Sequence, residues 1–207
     1  MLTKENADKL YNSLKLMFKD AKIELNFNND IQLLAAVILS AQCTDKRVNI
    51  VTHELFKKYK TAEDFAGAKL SEFQEEIKPC GFYRNKAKNI INACKKIEEQ
   101  FGGKLPDTLE QLMTLDGVGR KTANVILAEA FNKPAIAVDT HIFRVSNRLG
   151  LSSGKTPDKV EQDLMKQFDI KNWKELHHLL LFFGRYRCKA IKPMCEECIF
   201  KGQCRQN

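Results

Sequence analysis

Four of the seven cysteines fall in the last 20 residues, at positions 188, 195, 198 and 204. They form the pattern Cys188-x6-Cys195-x2-Cys198-x5-Cys204. Four thiolates can close a tetrahedral zinc site or hold the corners of an iron–sulfur cluster. Zinc knuckles generally use two short Cys-x2-4-Cys pairs, and here only one gap is short. The wider gaps suit a cuboidal cluster better than one small ion, with zinc as the alternative. The loop between the first two cysteines carries Lys189 and Lys192. Held by ligated thiols, that loop would present both cations rigidly to phosphates; otherwise it is an ordinary solvated basic loop. The remaining cysteines (Cys43, Cys80 and Cys94) are scattered. An odd count behind a polar N-terminus argues against a disulfide framework.

The second candidate is Leu115-Asp116-Gly117-Val118-Gly119-Arg120-Lys121-Thr122-Ala123. A short helix over Leu109 to Met113 leads into a Gly-x-Gly turn and then a second helix. The glycines permit positive φ and let backbone N–H groups approach an anion closely. The following helix adds its N-terminal partial charge. Gly117, Val118, Gly119 and Arg120 thus read as a helix-hairpin-helix phosphate clamp, which fixes a DNA strand without reading its sequence. Lys121 stands out within it. A cation in the first turn opposes the helix dipole, and so does Arg120 beside it. Both effects disfavour the protonated amine, and a Schiff-base nucleophile must be neutral.

The third is Ala137-Val138-Asp139-Thr140-His141-Ile142-Phe143-Arg144. Asp139 sits where an N-cap is expected, just ahead of a helical apolar pattern. Alone it would be a cap; beside Lys121 it becomes a candidate acid–base partner. His141 alone reads more readily as structural.

These side chains need a scaffold, and the apolar periodicity is helical throughout. Leu10, Leu14, Met17 and Phe18 make one stripe, and Ile31, Leu34, Ala35, Ile38 and Leu39 a nearly apolar helix. Val48, Val51, Leu55 and Phe56 make another. Ala87, Ile90, Ile91, Cys94 and Ile97 make a fourth, stopped by Gly102-Gly103. Thr122 to Phe131, Ile142 to Leu149 and Val160 to Phe168 continue the series, and a last helix runs from Trp173 to about Tyr186. No alternation of period two is sustained. The fold class is all-α, with about ten helices, a break at Asn132-Lys133-Pro134 and a weaker one at Asp20-Ala21-Lys22.

The 207 residues are 43% hydrophobic and 29% charged, a globular balance that excludes a disordered or collagen-like chain. The longest apolar run, Leu33 to Leu39, is seven residues, too short to span a bilayer. A soluble, cytoplasmic protein is expected, nucleoid-associated in a bacterium. The net charge of +8 favours a polyanionic partner.

Leu115 to Asn124, Ala137 to Arg144, Leu39-Ser40-Ala41-Gln42-Cys43-Thr44-Asp45 and the four-cysteine tail together resemble the endonuclease III family of DNA glycosylase/AP lyases. The resemblance runs from about residue 25 to Cys204. It implies two helical lobes with double-stranded DNA in the cleft between them. Residues 22–133 would form a six-helix barrel carrying the hairpin. Residues 1–21 with 134–207 would form a second lobe holding a [4Fe–4S] cluster on Cys188, Cys195, Cys198 and Cys204. The resemblance makes Lys121 the nucleophile and Asp139 its carboxylate partner. It gives Gln42 the gap left by a flipped nucleotide and Phe82 the wedge. It assigns Ser40 and Asp45 to the base pocket, and His141 is carried with them as a further candidate. The implied activity is removal of oxidised pyrimidines from duplex DNA, followed by a cut 3′ to the abasic site. The protein would act as a monomer, and its cluster would be structural and electrostatic.

Three positions depart from the family pattern. Asp116 replaces a proline before the hairpin, either weakening phosphate binding or serving the turn. Phe82 stands where leucine is common, and Cys43 where a small apolar residue is usual. A binding-only hairpin protein would explain the charge and glycines but not Lys121 with Asp139. An electron-transfer protein would explain only the cysteines. A mismatch adenine glycosylase would lack the lysine and carry a further C-terminal domain.

Overall fold

Apolar stripes at helical spacing have to be covered, and the computed structural model, which describes residues 1–204, covers them with helices alone. In chain order these are α1 (Lys4–Met17), α2 (Asp30–Ser40), α3 (Asp45–Lys58), α4 (Ala62–Ala66), α5 (Leu70–Ile77) and α6 (Tyr83–Phe101). They continue as α7 (Leu109–Leu112), α8 (Arg120–Ala130), α9 (Thr140–Arg148), α10 (Pro157–Gln167) and α11 (Trp173–Phe182). Among the described residues there is no strand, and no helix is long and apolar enough to cross a membrane.

The chain divides into two compact units, one of residues 24–133 and the other of residues 1–23 with 134–207. In the first, α2 is the central element. Every residue from Ile31 to Leu39 is buried, as its all-round apolar surface requires. It packs against α3, α6 and α8. Asn29 caps its start by accepting from the Gln32 N–H. The buried Gln32 amide donates to the carbonyls of Phe56 and Tyr59, which ties the end of α3 to α2. Tyr59, Phe65 and Phe73 form an aromatic cluster with centroids 5.1–6.0 Å apart.

In the second unit, α1, α9, α10 and α11 enclose one core that includes Leu10, Leu14, Ile142, Val145, Leu164 and Leu180. Buried Asp163 accepts from Ser152 Oγ and Lys159 Nζ, each at 2.7 Å. The last helix departs from the sequence expectation. It is α-helical only to Phe182 and then opens into a π-helical turn, Phe183–Arg187. The Cys188 N–H reaches back five residues to the Phe183 carbonyl at 2.7 Å. That frees the Gly184 carbonyl for Arg144 Nη2 at 2.9 Å. A Cβ on Gly184 would lie 2.9 Å from the Cβ of His141, so the glycine permits the close approach of α9. A wide turn of this kind is rare and leaves apolar spacing little changed, so it is hard to read from sequence.

Candidate nucleic-acid interface and cysteine centre

The hairpin between α7 and α8 is built on one face of α6. Asn89, Asn92 and Lys96 follow helical spacing and each meets it. Asn92 Nδ2 donates to the Asp116 carboxylate at 2.9 Å, and Lys96 Nζ donates to the Thr114 carbonyl at 2.8 Å. Gly117 has φ +77°, and a Cβ there would lie 2.9 Å from the side chain of Asn89. Asp116 therefore has a positive role: it pins the turn to α6. Sequence reasoning missed the three α6 residues, although their shared helical face was there to find.

Of the two glycines that permit positive φ, Gly119 does not use it. Its φ is −88° and its ψ 177°, ordinary extended backbone. It is the N-cap of α8, where it makes no side-chain capping bond, and no neighbour lies near its absent Cβ. Gly119 itself supplies no capping side chain, and α8 has no acidic residue in its first turn. Arg120 and Lys121 open this helix, and the Lys121 side chain is exposed. A helix start that carries two cations and no acidic residue attracts anions. Val118 is buried and anchors the turn beneath it.

Gln42 and Phe82 share an unusual backbone. Gln42 has φ 53° and Phe82 φ 48°, the left-handed region, and neither is glycine. Such conformations cost roughly 1 kcal/mol or more each. Both side chains are exposed, Phe82 by 64%, rare for a large aromatic. Each stands just ahead of a helix, Gln42 before α3 and Phe82 as the N-cap of α6. Nearby, Ser40 Oγ donates to the Val37 carbonyl at 2.8 Å, and half-buried Asp45 opens α3.

Asp139 is the N-cap of α9, and its Oδ1 accepts from the Ile142 N–H at 2.8 Å. The carboxylate is half-buried and oriented by that bond. His141 is held by its neighbours: Arg144 Nη2 lies 3.3 Å from its Nδ1, and Gly184 packs on it.

Cys188, Cys195, Cys198 and Cys204 all line one cavity of about 220 Å³, with Phe183, Pro193 and Met194 on its apolar wall. Burial pushes the Cys198 thiol up, and the three other cysteines add to the effect. Among the described residues, no three His, Cys, Asp or Glu side chains converge tightly enough for a single ion. A ring of four sulfurs around a cavity suits a multi-iron cluster better than zinc. Arg148, which the sequence reading passed over, organises the adjoining loop. Its Nη1 lies 3.4 Å from Cys188 Sγ and 2.8 Å from the Lys189 carbonyl, and Nη2 reaches the Ala190 carbonyl at 3.4 Å. Arg144 holds the Cys188 carbonyl from the same helix. Lys189 and Lys192 are left exposed, and Lys192 adopts φ 51°.

Cys43 and Cys80, distant in sequence, are both free thiols and lie near enough for each to act electrostatically on the other. Spacing gave no sign of this pair.

Comparisons with known proteins agree with one another. The model of the HhH-GPD superfamily base excision DNA repair proteins matches residues 35–169. Endonuclease III of Bacillus subtilis strain 168 is 51% identical over 191 residues, covering 92% of this chain and 87% of that protein. The solved structure of a non-covalent endonuclease III–DNA complex superposes with a TM-score of 0.96 at 46% identity, covering 100% of this chain and 97% of the other. A trapped endonuclease III–DNA covalent intermediate matches with the same TM-score, identity and coverage. The all-α architecture, the hairpin segment and the near-complete coverage leave one conclusion: this chain belongs to the endonuclease III family within the HhH-GPD superfamily of base excision DNA repair proteins.

Proposed function

We propose that this enzyme removes oxidised pyrimidines from double-stranded DNA and then cuts the strand 3′ to the abasic site by β-elimination through a Schiff base on Lys121. DNA glycosylase and AP lyase activity and a [4Fe–4S] cluster come with membership of the family. The observation that carries the residue assignment is the exposed Lys121 in the first turn of α8, directly after the hairpin. A covalent DNA intermediate has been trapped in a relative, which supports a nucleophile of this kind.

A base inside a duplex must be extruded before it can be excised. Gly117, Val118, Gly119 and Arg120 grip the backbone phosphates, aided by Lys189 and Lys192. Phe82 wedges into the stack and Gln42 fills the gap left by the flipped nucleotide. Ser40, Asp45 and His141 line the base pocket in this reading. The neutral Lys121 amine attacks sugar C1′ and forms a C–N bond. The glycosidic bond breaks, and its electron pair leaves with the base, which takes up a proton. Asp139, oriented by the Ile142 N–H, relays protons and stabilises positive charge developing on the sugar. The sugar ring opens to the imine, which acidifies the C2′ proton. Loss of that proton expels the 3′ phosphate, and water then releases Lys121.

The four thiols around one cavity fit the cluster, and Cys188, Cys195, Cys198 and Cys204 would hold it. It supplies negative sulfur-bound charge beside Arg148 and a rigid anchor for the loop of Lys189 and Lys192. Residues 24–133 would be the barrel lobe with the hairpin, and residues 1–23 with 134–207 the cluster lobe. The enzyme would act as a monomer.

The test is product analysis on a duplex containing one thymine glycol, beside the undamaged duplex. Release of the damaged base with a 3′ unsaturated aldehyde end is expected. Cleavage only of preformed abasic sites would refute the pyrimidine specificity.

A further inference from the structure

We propose that Cys43 and Cys80 form an oxidisable dithiol that closes a reversible disulfide between the loop of Gln42 and the loop of Phe82. Cys43 directly follows Gln42 and precedes Thr44, the N-cap of α3. Cys80 ends the 3-10 turn Lys78–Cys80 and is followed by Gly81 and Phe82. That turn packs against α3. One buried amine reads both segments: Lys86 Nζ donates to the Leu39 carbonyl at 2.8 Å and to the Cys80 carbonyl at 2.9 Å. The end of α2, which leads into Cys43, and the backbone of Cys80 are therefore tied to one side chain before any bond forms. The two thiols interact electrostatically, and closing the bond would bring the sulfurs to the ~2.05 Å disulfide length.

The two sulfurs differ in access. Cys43 is half-exposed, whereas Cys80 is 2% exposed. Burial raises the Cys80 thiol to about 11, with Arg47 and Lys86 acting against it. Cys43 therefore meets the oxidant first. Hydrogen peroxide converts the Cys43 thiol to a sulfenic acid and is reduced to water. The Cys80 sulfur then attacks the Cys43 sulfur, the S–S bond forms, and the sulfenic oxygen leaves as a second water with the Cys80 proton. Two electrons pass from the two thiols to the peroxide, and a dithiol reductant reverses the change. An accessible thiol with a resolving partner is the arrangement of reversible redox sites, and it is compatible with a reducing compartment. Cys94, wholly buried in α6, is the internal control.

The bond would lock two loops whose exposed side chains sit on left-handed backbone. Given the DNA reading above, a locked pair cannot adjust as Gln42 and Phe82 enter the stack. The experiment uses the holoprotein, with cluster absorbance followed throughout. Protein is titrated with hydrogen peroxide, free thiols are alkylated, and tryptic peptides are mapped without reduction. With the cluster absorbance intact, a cross-linked peptide pair containing Cys43 and Cys80 is expected, lost on dithiothreitol treatment and absent from Cys43→Ser and Cys80→Ala. Affinity for a duplex with an abasic-site analogue should fall at least ~3-fold on oxidation, recover on reduction, and stay constant in Cys43→Ser. Separate oxidation of the two cysteines, with no cross-linked pair, overturns the proposal. A cross-link with unchanged affinity overturns the control of DNA binding. If the reduced protein binds no duplex, the DNA reading fails, and the peptide map still decides the dithiol.

Discussion

Asp139 does two jobs that one substitution can separate. Its Oδ1 caps α9, and in the mechanism its charge serves the reacting sugar. Asparagine caps about as well as aspartate, but carries no charge. Asp139→Asn should therefore change stability by less than ~0.5 kcal/mol while lowering the excision rate about 10²–10⁴-fold. Equal loss of stability and rate, read by thermal unfolding beside single-turnover kinetics, would reduce Asp139 to a cap. At this scale the sequence was most legible where chemistry and local structure disagree. Lys121 was visible because a cation at a helix start opposes the dipole. Phe82 was visible only through the family resemblance. Its left-handed φ and exposure, which mark it independently, belong to the folded chain.

Helix boundaries followed from apolar periodicity and caps, and Asp139, Gly102 and Pro157 all stand at helix ends as local rules require. The failures came where an element's shape depends on a distant partner. The π-helical turn after α11 leaves the Gly184 carbonyl to Arg144 on α9, a partner 40 residues away in the chain. The two hairpin glycines looked alike in sequence, yet only Gly117 needs positive φ. Gly117→Ala should cost about 1–3 kcal/mol, from backbone strain and collision with Asn89. Gly119→Ala should cost less than ~1 kcal/mol, a lost N-cap preference in open space. Denaturant titration of both variants checks the order, and a reversed order would contradict the hairpin geometry. Both variants should bind duplex DNA more weakly, because each adds a side chain where backbone approaches phosphate.

The two compact units draw on different parts of the chain; the break at residue 134 had a sign in Asn132-Lys133-Pro134, and the one after residue 23 a weaker sign in Asp20-Ala21-Lys22. The return of residues 1–23 to the C-terminal unit leaves no local mark, since it rests on α1 joining the core of α9 and α11. That unit also holds a buried charge. The Lys159 ammonium holds the Asp163 carboxyl below its ordinary range, with the Ser152 hydroxyl adding to it and burial opposing. A depressed folded value stabilises the fold above the unfolded carboxylate range near ~4 and is lost as pH falls through the folded value. Asp163→Asn should cost about 1–3 kcal/mol near neutral pH, and the gap to the parent should close in acid. Unfolding curves at about pH 7 and about pH 3 decide this, and a gap constant with pH would contradict it.

Strand cleavage by this enzyme turns on one covalent bond between Lys121 and DNA. Sodium borohydride reduces a lysine–sugar imine to a stable amine. The measurement is borohydride trapping on duplexes carrying a thymine glycol or an abasic site, with the adducted peptide sequenced by mass spectrometry. The account predicts adducts on both duplexes, carried on Lys121, and no adduct with Lys121→Gln, which still binds the abasic duplex and loses more than ~10³-fold in rate. An adduct on another residue, or an undiminished adduct in Lys121→Gln, would contradict it.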